Sequence, residues 1–479
     1  MNLTIDQTLG EGGPLARALP GFEARPGQVQ MAHLIERGFL ENAHTIVEAG
    51  TGVGKSLAYL VPALRSGKKI VVSTGTIALQ EQLVRKDIPL VVEALAIPAR
   101  VELLKGRNHY LCRSKYERAA AERLVAPTEA LERIWQWAET TATGDRAELP
   151  FVPSAEDWES LDADADDCIG EFCERFRDCW FFARRDAARY ADLVVVNHAL
   201  FFLDLAMGGG LLPSYDYVVL DEAHQCERYA TAALTATLSH ALLSRMLRKL
   251  HGAYHLPGHH DAEIAEGIRR LTSVLARVPG ERYPLFPDDE LEATLDDLHL
   301  ALSRLENWVH ANWESGLRRP VSNDAERERR RDLALRGIVA QLGTIERIRR
   351  SLHQSEIDAE TIAWVERVDG EARYEINAAP FEVADFLRQA LFARTQSVVL
   401  TSATIAEGTS FKFLRESLGI DEAQELVAPS PFDYSRQARL YLAPAQLNPK
   451  ADDFAERAAP LVEECLERSR GRAFVLFTS

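Results

Sequence analysis

Glu48-Ala49-Gly50-Thr51-Gly52-Val53-Gly54-Lys55-Ser56 follows the short apolar run Thr45-Ile46-Val47 and leads into Leu57-Ala58-Tyr59-Leu60-Val61. That order predicts a strand, a glycine-rich loop and a helix. Such a loop lets backbone N–H groups close around phosphate oxygens, and the helix start adds the positive end of its dipole. Lys55 is placed to reach β- and γ-phosphates, and the Ser56 hydroxyl to hold Mg²⁺. The motif's usual first glycine is replaced by Ala49. The competing reading is an ordinary glycine-rich turn, but Gly-Lys-Ser between strand and helix favours a nucleoside triphosphate site.

Short β-branched runs extend this unit. Ile70-Val71-Val72-Ser73-Thr74 precedes a turn and helix from Gly75, and Leu193-Val194-Val195-Val196-Asn197, Tyr217-Val218-Val219-Leu220 and Ser397-Val398-Val399-Leu400-Thr401 follow. Continuous apolar strands alternating with helices predict an α/β fold with a parallel sheet buried on both faces. The pattern breaks twice. Residues 106–190 alternate helical pieces with loops, and residues 230–375 show helical spacing, as at Leu238, Leu242, Leu243, Met246 and Leu250, interrupted near Pro257-Gly258 and Pro279-Gly280. A boundary is expected at Ala428-Pro429-Ser430-Pro431, and Ala473-Phe474-Val475-Leu476-Phe477 reads as a strand with no partner after it. That strand suggests a domain continuing past residue 479.

Asp221-Glu222-Ala223-His224 directly follows a predicted strand. Ligands of parallel sheets bind at this end of the strands. Asp221 can hold Mg²⁺, and Glu222 can orient or deprotonate the attacking water, the two roles phosphoryl transfer requires beside a phosphate loop. Thr401-Ser402-Ala403-Thr404 also ends a strand, where small hydroxyls can sense a γ-phosphate or simply cap a helix.

The chain has 479 residues, room for about three domains. The N-terminus, Met1-Asn2-Leu3-Thr4-Ile5-Asp6, lacks the basic start and apolar core of a signal peptide, and no apolar run is long enough for a membrane helix. The cytoplasm is the expected compartment. A net charge of −17 disfavours nucleic acid on average. Local contrast matters more, because tracking a single strand requires only a positive groove. Residues 156–167 are acidic, and residues 326–350 carry eight arginines.

Cys112, Cys168, Cys173 and Cys179 are spaced C-x55-C-x4-C-x5-C. No C-x2-C pair is present, so zinc fits less well than an iron–sulfur cluster, with unrelated thiols as the third possibility. Arg107, Tyr110, Arg113, Lys115 and Tyr116 crowd the first cysteine, and Trp180, Phe181, Phe182, Arg184 and Arg185 follow the last. Interleaved aromatics and cations suit either single-stranded nucleic acid or a packed face around a cluster.

Taken together, Arg25-Pro26-Gly27-Gln28, AGTGVGKS, STGTIALQEQL, LLKGRNHYLC, the C-x4-C-x5-C triplet, VVVNHAL, DEAH, LTSATI and PSPFDYSRQA resemble the XPD-like iron–sulfur superfamily 2 DNA helicases. The resemblance spans essentially the whole chain and is strongest to the bacterial DinG/YoaA group, with PSPFDYSRQA and GRAFVLFTS nearest the YoaA branch. It implies an ATP-dependent helicase moving 5′ to 3′ on single-stranded or forked DNA in replication or repair. Gln28 would read adenine. Gly50, Thr51, Gly52, Gly54, Lys55 and Ser56 would bind ATP and Mg²⁺, with Asp221 and Glu222 as the hydrolysis pair. Cys112, Cys168, Cys173 and Cys179 would ligate a [4Fe–4S] cluster, and Thr74, Asn197 and His198 would lie near the DNA path.

The implied architecture is a RecA-like P-loop domain (1–105, 191–229 and 376–427) carrying an iron–sulfur cluster domain (106–190) and a helical arch domain (230–375). A second RecA-like domain would open at 428–479. The later motifs of such helicases, including an arginine completing the ATP site, are not among residues 1–479. The chain by itself is therefore expected to bind ATP weakly and to unwind little. This keeps open a second reading, an ATP-gated clamp for single-stranded DNA without motor activity. A third, an RNA-directed DEAH ATPase, leaves the cysteines unused.

Overall fold

The computed structural model describes residues 3–122, 128–165, 168–277, 281–318, 324–354, 360–368, 373–444, 447–451 and 453–476. The Pro279-Gly280 interruption, Asp166 and Asp167 of the acidic run, and Phe477 lie outside these residues. The chain forms two compact units, Met1–Pro431 and Phe432–Ser479.

In chain order the strands are β1 (Thr45–Ala49), β2 (Ile70–Thr74), β3 (Val101–Leu103), β4 (Leu193–Asn197) and β5 (Tyr217–Asp221). They continue as β6 (Ala236–Ser239), β7 (Arg282–Pro284), β8 (Thr361–Val368), β9 (Arg373–Pro380), β10 (Ser397–Ser402) and β11 (Gln424–Ala428). Seven form one sheet in the order β11-β1-β10-β5-β2-β4-β3, every pair parallel. Successive residues alternate between two cores. Val47, Val72, Val195, Val219 and Val399 pack on one face, and Ile46, Val71, Val194, Val218 and Leu400 on the other. Burial on both faces is why these strands read as unbroken apolar runs.

The main helices are α1 (Pro26–Glu41), α2 (Lys55–Arg65), α3 (Ile77–Gln82), α4 (Arg113–Glu122), α5 (Trp180–Arg189), α6 (His198–Ala206), α7 (Cys226–Leu234), α8 (His240–Ala253), α9 (Gly258–Leu275), α10 (Asp289–Asn312), α11 (Asp324–Leu352) and α12 (Phe454–Ser469). Two long excursions leave the sheet. The first departs from β3 and returns on its neighbour β4; the second departs from β5 and returns on its neighbour β10.

The first excursion has a small core of Leu111, Ile134, Trp158, Leu161 and Trp180, and Cys112 and Cys179 pack on a second cluster of Tyr110, Ala163 and Phe181. Lys105 fastens the excursion to the sheet. Its side chain is 2% exposed, and its ammonium lies 2.6 Å from Asp145 of the excursion and 3.3 Å from Glu81 on α3. A buried ammonium is tolerated only with such partners.

The second excursion is not wholly helical. Besides α8 to α11 it contains an antiparallel sheet, β6-β9-β8-β7. Strand β8 shows the half-buried alternation of such sheets, with Ile362 exposed and Ala363 and Val365 buried. The acidic run is not merely solvated either. Glu159 and Asp164 pair with Arg245 (3.2 Å) and Lys249 (2.6 Å) on α8, bracing one excursion against the other.

In the second unit, residues 473–476 form no strand, against expectation. A strand needs a hydrogen-bonded neighbour, and among the described residues none pairs with this segment. Among the described residues no helix is long and apolar enough to cross a membrane.

Candidate functional site

The loop Gly50–Gly54 leaves the carboxyl end of β1 and enters α2 at Lys55. Gly52 and Gly54 both have φ of 89°, which a side chain resists. Gly50 is required for a different reason: an added Cβ would sit 2.6 Å from the Ser430 backbone nitrogen. The same Ser430 donates its hydroxyl to the Thr51 carbonyl at 2.7 Å. Arg25 donates to the Gly52 carbonyl, and Gln28 Nε2 to the Gly54 carbonyl at 3.0 Å. Gln28 is buried, and its Oε1 has no donor.

Strand β10 separates β1 from β5, with Ser402 level with Glu48 and Thr401 level with Asp221. The loop and the acidic pair therefore open onto one side of the sheet. Lys55 Nζ lies 3.2 Å from Glu222 Oε1. Glu222 has φ of 59°, a left-handed conformation that turns its side chain back toward the loop. A directed chain of hydrogen bonds holds its other oxygen. Gln225 Nε2 donates to His224 Nε2 (3.3 Å), His224 Nδ1 to Ser402 Oγ (2.8 Å), and Ser402 Oγ to Glu222 Oε2 (3.3 Å). Of the hydroxyls read as sensors, Ser402 touches the acidic pair, Thr401 Oγ1 is buried without a partner, and Thr404 is exposed.

Tyr59 was not legible as a site residue. Its hydroxyl donates to Asp221 Oδ2 at 3.1 Å and also hydrogen-bonds the Ser56 hydroxyl. It thus links the two groups expected to hold Mg²⁺. Tyr59 occupies the same helix face as Ser56, three residues on, and that spacing was the available signal. Burial pushes Asp221 up to about 6, with Lys55 pulling the other way.

His198, which the resemblance puts near the DNA path, is a buried residue with no exposed surface. Its imidazole lies inside the sheet's upper edge, where burial holds it down at about 4 and hence neutral.

Cys112, Cys168, Cys173 and Cys179 all line one cavity of about 1300 Å³. All four are free and partly exposed. The Lys115 amide donates to the Cys112 sulfur, and the Phe181 and Phe182 amides to the Cys179 sulfur. Burial pushes both of these thiols up, an environment a cation or cluster would reverse. Among the described residues no three His, Cys, Asp or Glu are gathered closely enough to hold a single metal ion. The donor set suits a four-iron cluster, which spans more space than one ion.

Trp180 and Phe181 are buried, and Arg113 and Arg107 stack on them at 4.1 and 4.5 Å. These aromatics are a packed wall behind the cysteines rather than free stacking faces. The cavity's opposite side comes from α8 and α11 of the second excursion, including Arg245, Lys249, Arg330 and Arg336. In all, ten Arg or Lys and four Asp or Glu line it.

Residues 25–144 match the DEAD/DEAH box helicase family. The chain is 32% identical over 497 residues to the ATP-dependent DNA helicase YoaA of Escherichia coli (strain K12), covering 98% of this chain and 73% of the relative. It is 31% identical over 512 residues to the ATP-dependent helicase DinG of Mycobacterium tuberculosis (strain ATCC 25177 / H37Ra), covering 100% of this chain and 75% of the relative. A solved XPD helicase aligns with 93% of this chain and 71% of its own, at 13% identity and a TM-score of 0.48. With both relatives matched over this extent, the chain belongs to the DinG/YoaA family of ATP-dependent helicases.

Proposed function

We propose that the chain acts as an ATP-dependent DNA helicase that moves 5′ to 3′ on single-stranded DNA and opens forked duplexes. The observation that carries this reading is Lys55 Nζ lying 3.2 Å from Glu222 Oε1. The cation for a γ-phosphate and the carboxylate for its attacking water meet at one point. On nucleotide binding Lys55 turns to phosphate and Glu222 is released to a water. Ser56 and Asp221 hold Mg²⁺, and the unpartnered Gln28 Oε1 accepts from the adenine amine.

The cavity between the two excursions is the DNA path in this reading, its cations tracking the phosphates. Cys112, Cys168, Cys173 and Cys179 hold a [4Fe–4S] cluster that stiffens one wall of it. The cluster supplies a rigid, covalently tied core to a segment whose own hydrophobic core is small.

The test is ATP turnover with single-stranded DNA or RNA, then unwinding of 5′- and 3′-tailed duplexes, in the full-length protein. DNA stimulation and a requirement for the 5′ tail are expected. Stimulation by RNA only, or unwinding from 3′ tails only, overturns the proposal.

Asp221 adds a pH signature. The folded chain holds its proton more tightly than the unfolded chain, whose value is near 3.8. This contribution to stability is fully present below about pH 4 and is lost as pH rises toward about 6. Between pH 4.5 and 7 without metal, the wild type should lose about 2 kcal/mol relative to Asp221→Asn, read from urea midpoints. Mg²⁺ should then stabilise the wild type more at pH 7 than at pH 5. Parallel pH curves for the two proteins would count against this assignment.

A further inference from the structure

His198 is the first residue of α6, immediately after β4, yet its imidazole serves two other strands. The β2–β5 ladder runs from Ile70 paired with Tyr217 to Ser73 paired with Leu220 and goes no further. At that point Ser73 Oγ lies 2.7 Å from His198 Nδ1, and the Asp221 carbonyl oxygen lies 2.8 Å from His198 Nε2. A carbonyl only accepts, so Nε2 carries the hydrogen. Nδ1 of the neutral ring then accepts from the Ser73 hydroxyl. The two partners fix one tautomer and one ring orientation. Phe202 and Tyr229 pack against the ring at 6.0 and 5.5 Å between centroids.

The Asp221 carbonyl belongs to the peptide that joins Asp221 to Glu222. The N–H of that same peptide donates to Asp221 Oδ1 at 3.0 Å. The peptide is therefore clamped at both ends, by His198 on its oxygen and by the carboxylate on its nitrogen. Just beyond it the chain enters the left-handed conformation at Glu222, which is unfavourable for a residue with a side chain and persists only where its surroundings enforce it.

We propose that His198 is a positioning residue for ATP hydrolysis: by anchoring the Asp221 carbonyl to Ser73, it fixes the peptide plane from which the Glu222 carboxylate is aimed. The proposal rests on the hydrolytic reading of Lys55, Asp221 and Glu222 given above. It adds a residue with no exposed surface.

The two nitrogens can be tested separately. Glutamine places an N–H donor where Nε2 stands, and asparagine keeps an acceptor where Nδ1 stands but abandons Asp221. With saturating single-stranded DNA and the full-length protein, His198→Asn should lower kcat for ATP by about 10–100-fold, the usual cost of removing such an outer support, with KM within about two-fold. His198→Gln should recover most of that loss. Ser73→Ala removes one hydroxyl and leaves the ring in place, so it remains informative if a His198 variant fails to fold. It should lower kcat by about three- to ten-fold, again without moving KM.

Equal losses for asparagine and glutamine, wild-type kcat for His198→Asn, or wild-type kcat for Ser73→Ala would each overturn the proposal. Lys55→Ala separates its failure from that of the parent reading. If Lys55→Ala still turns over ATP at the wild-type rate, hydrolysis occurs elsewhere and both fall. If Lys55→Ala is inactive and the His198 series is flat, the positioning role alone falls.

Discussion

Glu222→Gln should lower ATP turnover by about 10²–10⁴-fold, the range a positioned general base contributes, while nucleotide binding persists. The substitution keeps the shape of the side chain and one hydrogen-bonding oxygen but removes the charge that now holds Lys55 at 3.2 Å. Lys55 is then free to meet phosphate, so ATP affinity should stay level or rise. Lys55→Ala should behave differently, losing binding as well as turnover, because the phosphate's cation is gone. The two are separated by measuring Kd with a fluorescent ATP analogue beside steady-state turnover. Glu222→Gln turnover within about ten-fold of wild type would remove Glu222 from its assigned role.

Cys173→Ser carries the second large effect, an all-or-none loss of the cluster. Wild-type protein purified without oxygen should be brown, with iron and acid-labile sulfide, and Cys173→Ser should be colourless. The structure makes a second demand on this experiment. Burial keeps the Cys112 and Cys179 thiols protonated in the absence of a cation, so loading the cluster should release protons and raise the melting temperature. A colourless wild type with one bound zinc would overturn the cluster. The ATP site would be unaffected, since the cysteines lie on an excursion outside the sheet.

Where residue chemistry is local, the sequence was legible. Gly-Lys-Ser after a strand has few uses, and an acidic pair ending a second buried strand completes the same chemistry. The strands of the sheet's interior read clearly because burial on both faces leaves them uniformly apolar. Strand β11 did not, since Gln424-Glu425-Leu426-Val427-Ala428 carries two polar residues and no alternation. It exists because Ala428 and its neighbours pair with β1 at the sheet's edge. The β6-β9-β8-β7 sheet was hidden similarly, because β6 and β7 have only four and three residues and are strands only through β9 and β8. The reverse error occurred at residues 473–476, where strong β propensity meets no neighbour.

Side-chain roles failed where they depend on distant strands. Tyr59 reads as apolar filler in a helix until β5 places Asp221 over its hydroxyl. His198 enters the sequence reading only through the family resemblance, as a residue near the DNA path. Only the convergence of β2 and β5 on its ring shows that it faces inward.

The strand order has a consequence for synthesis of the protein. Among the described residues, strand β1, at residues 45–49, pairs only with β10 at 397–402 and β11 at 424–428. It leaves the ribosome early and waits with both edges bare while both excursions are translated. An unpaired apolar strand is a template for association with other chains. The glycine-rich loop that β1 carries cannot be locked in place until nearly the whole of the first unit has emerged. Folding should therefore be slow and dominated by long-range closure, and nascent chains arrested before β10 should be the aggregation-prone, chaperone-bound species.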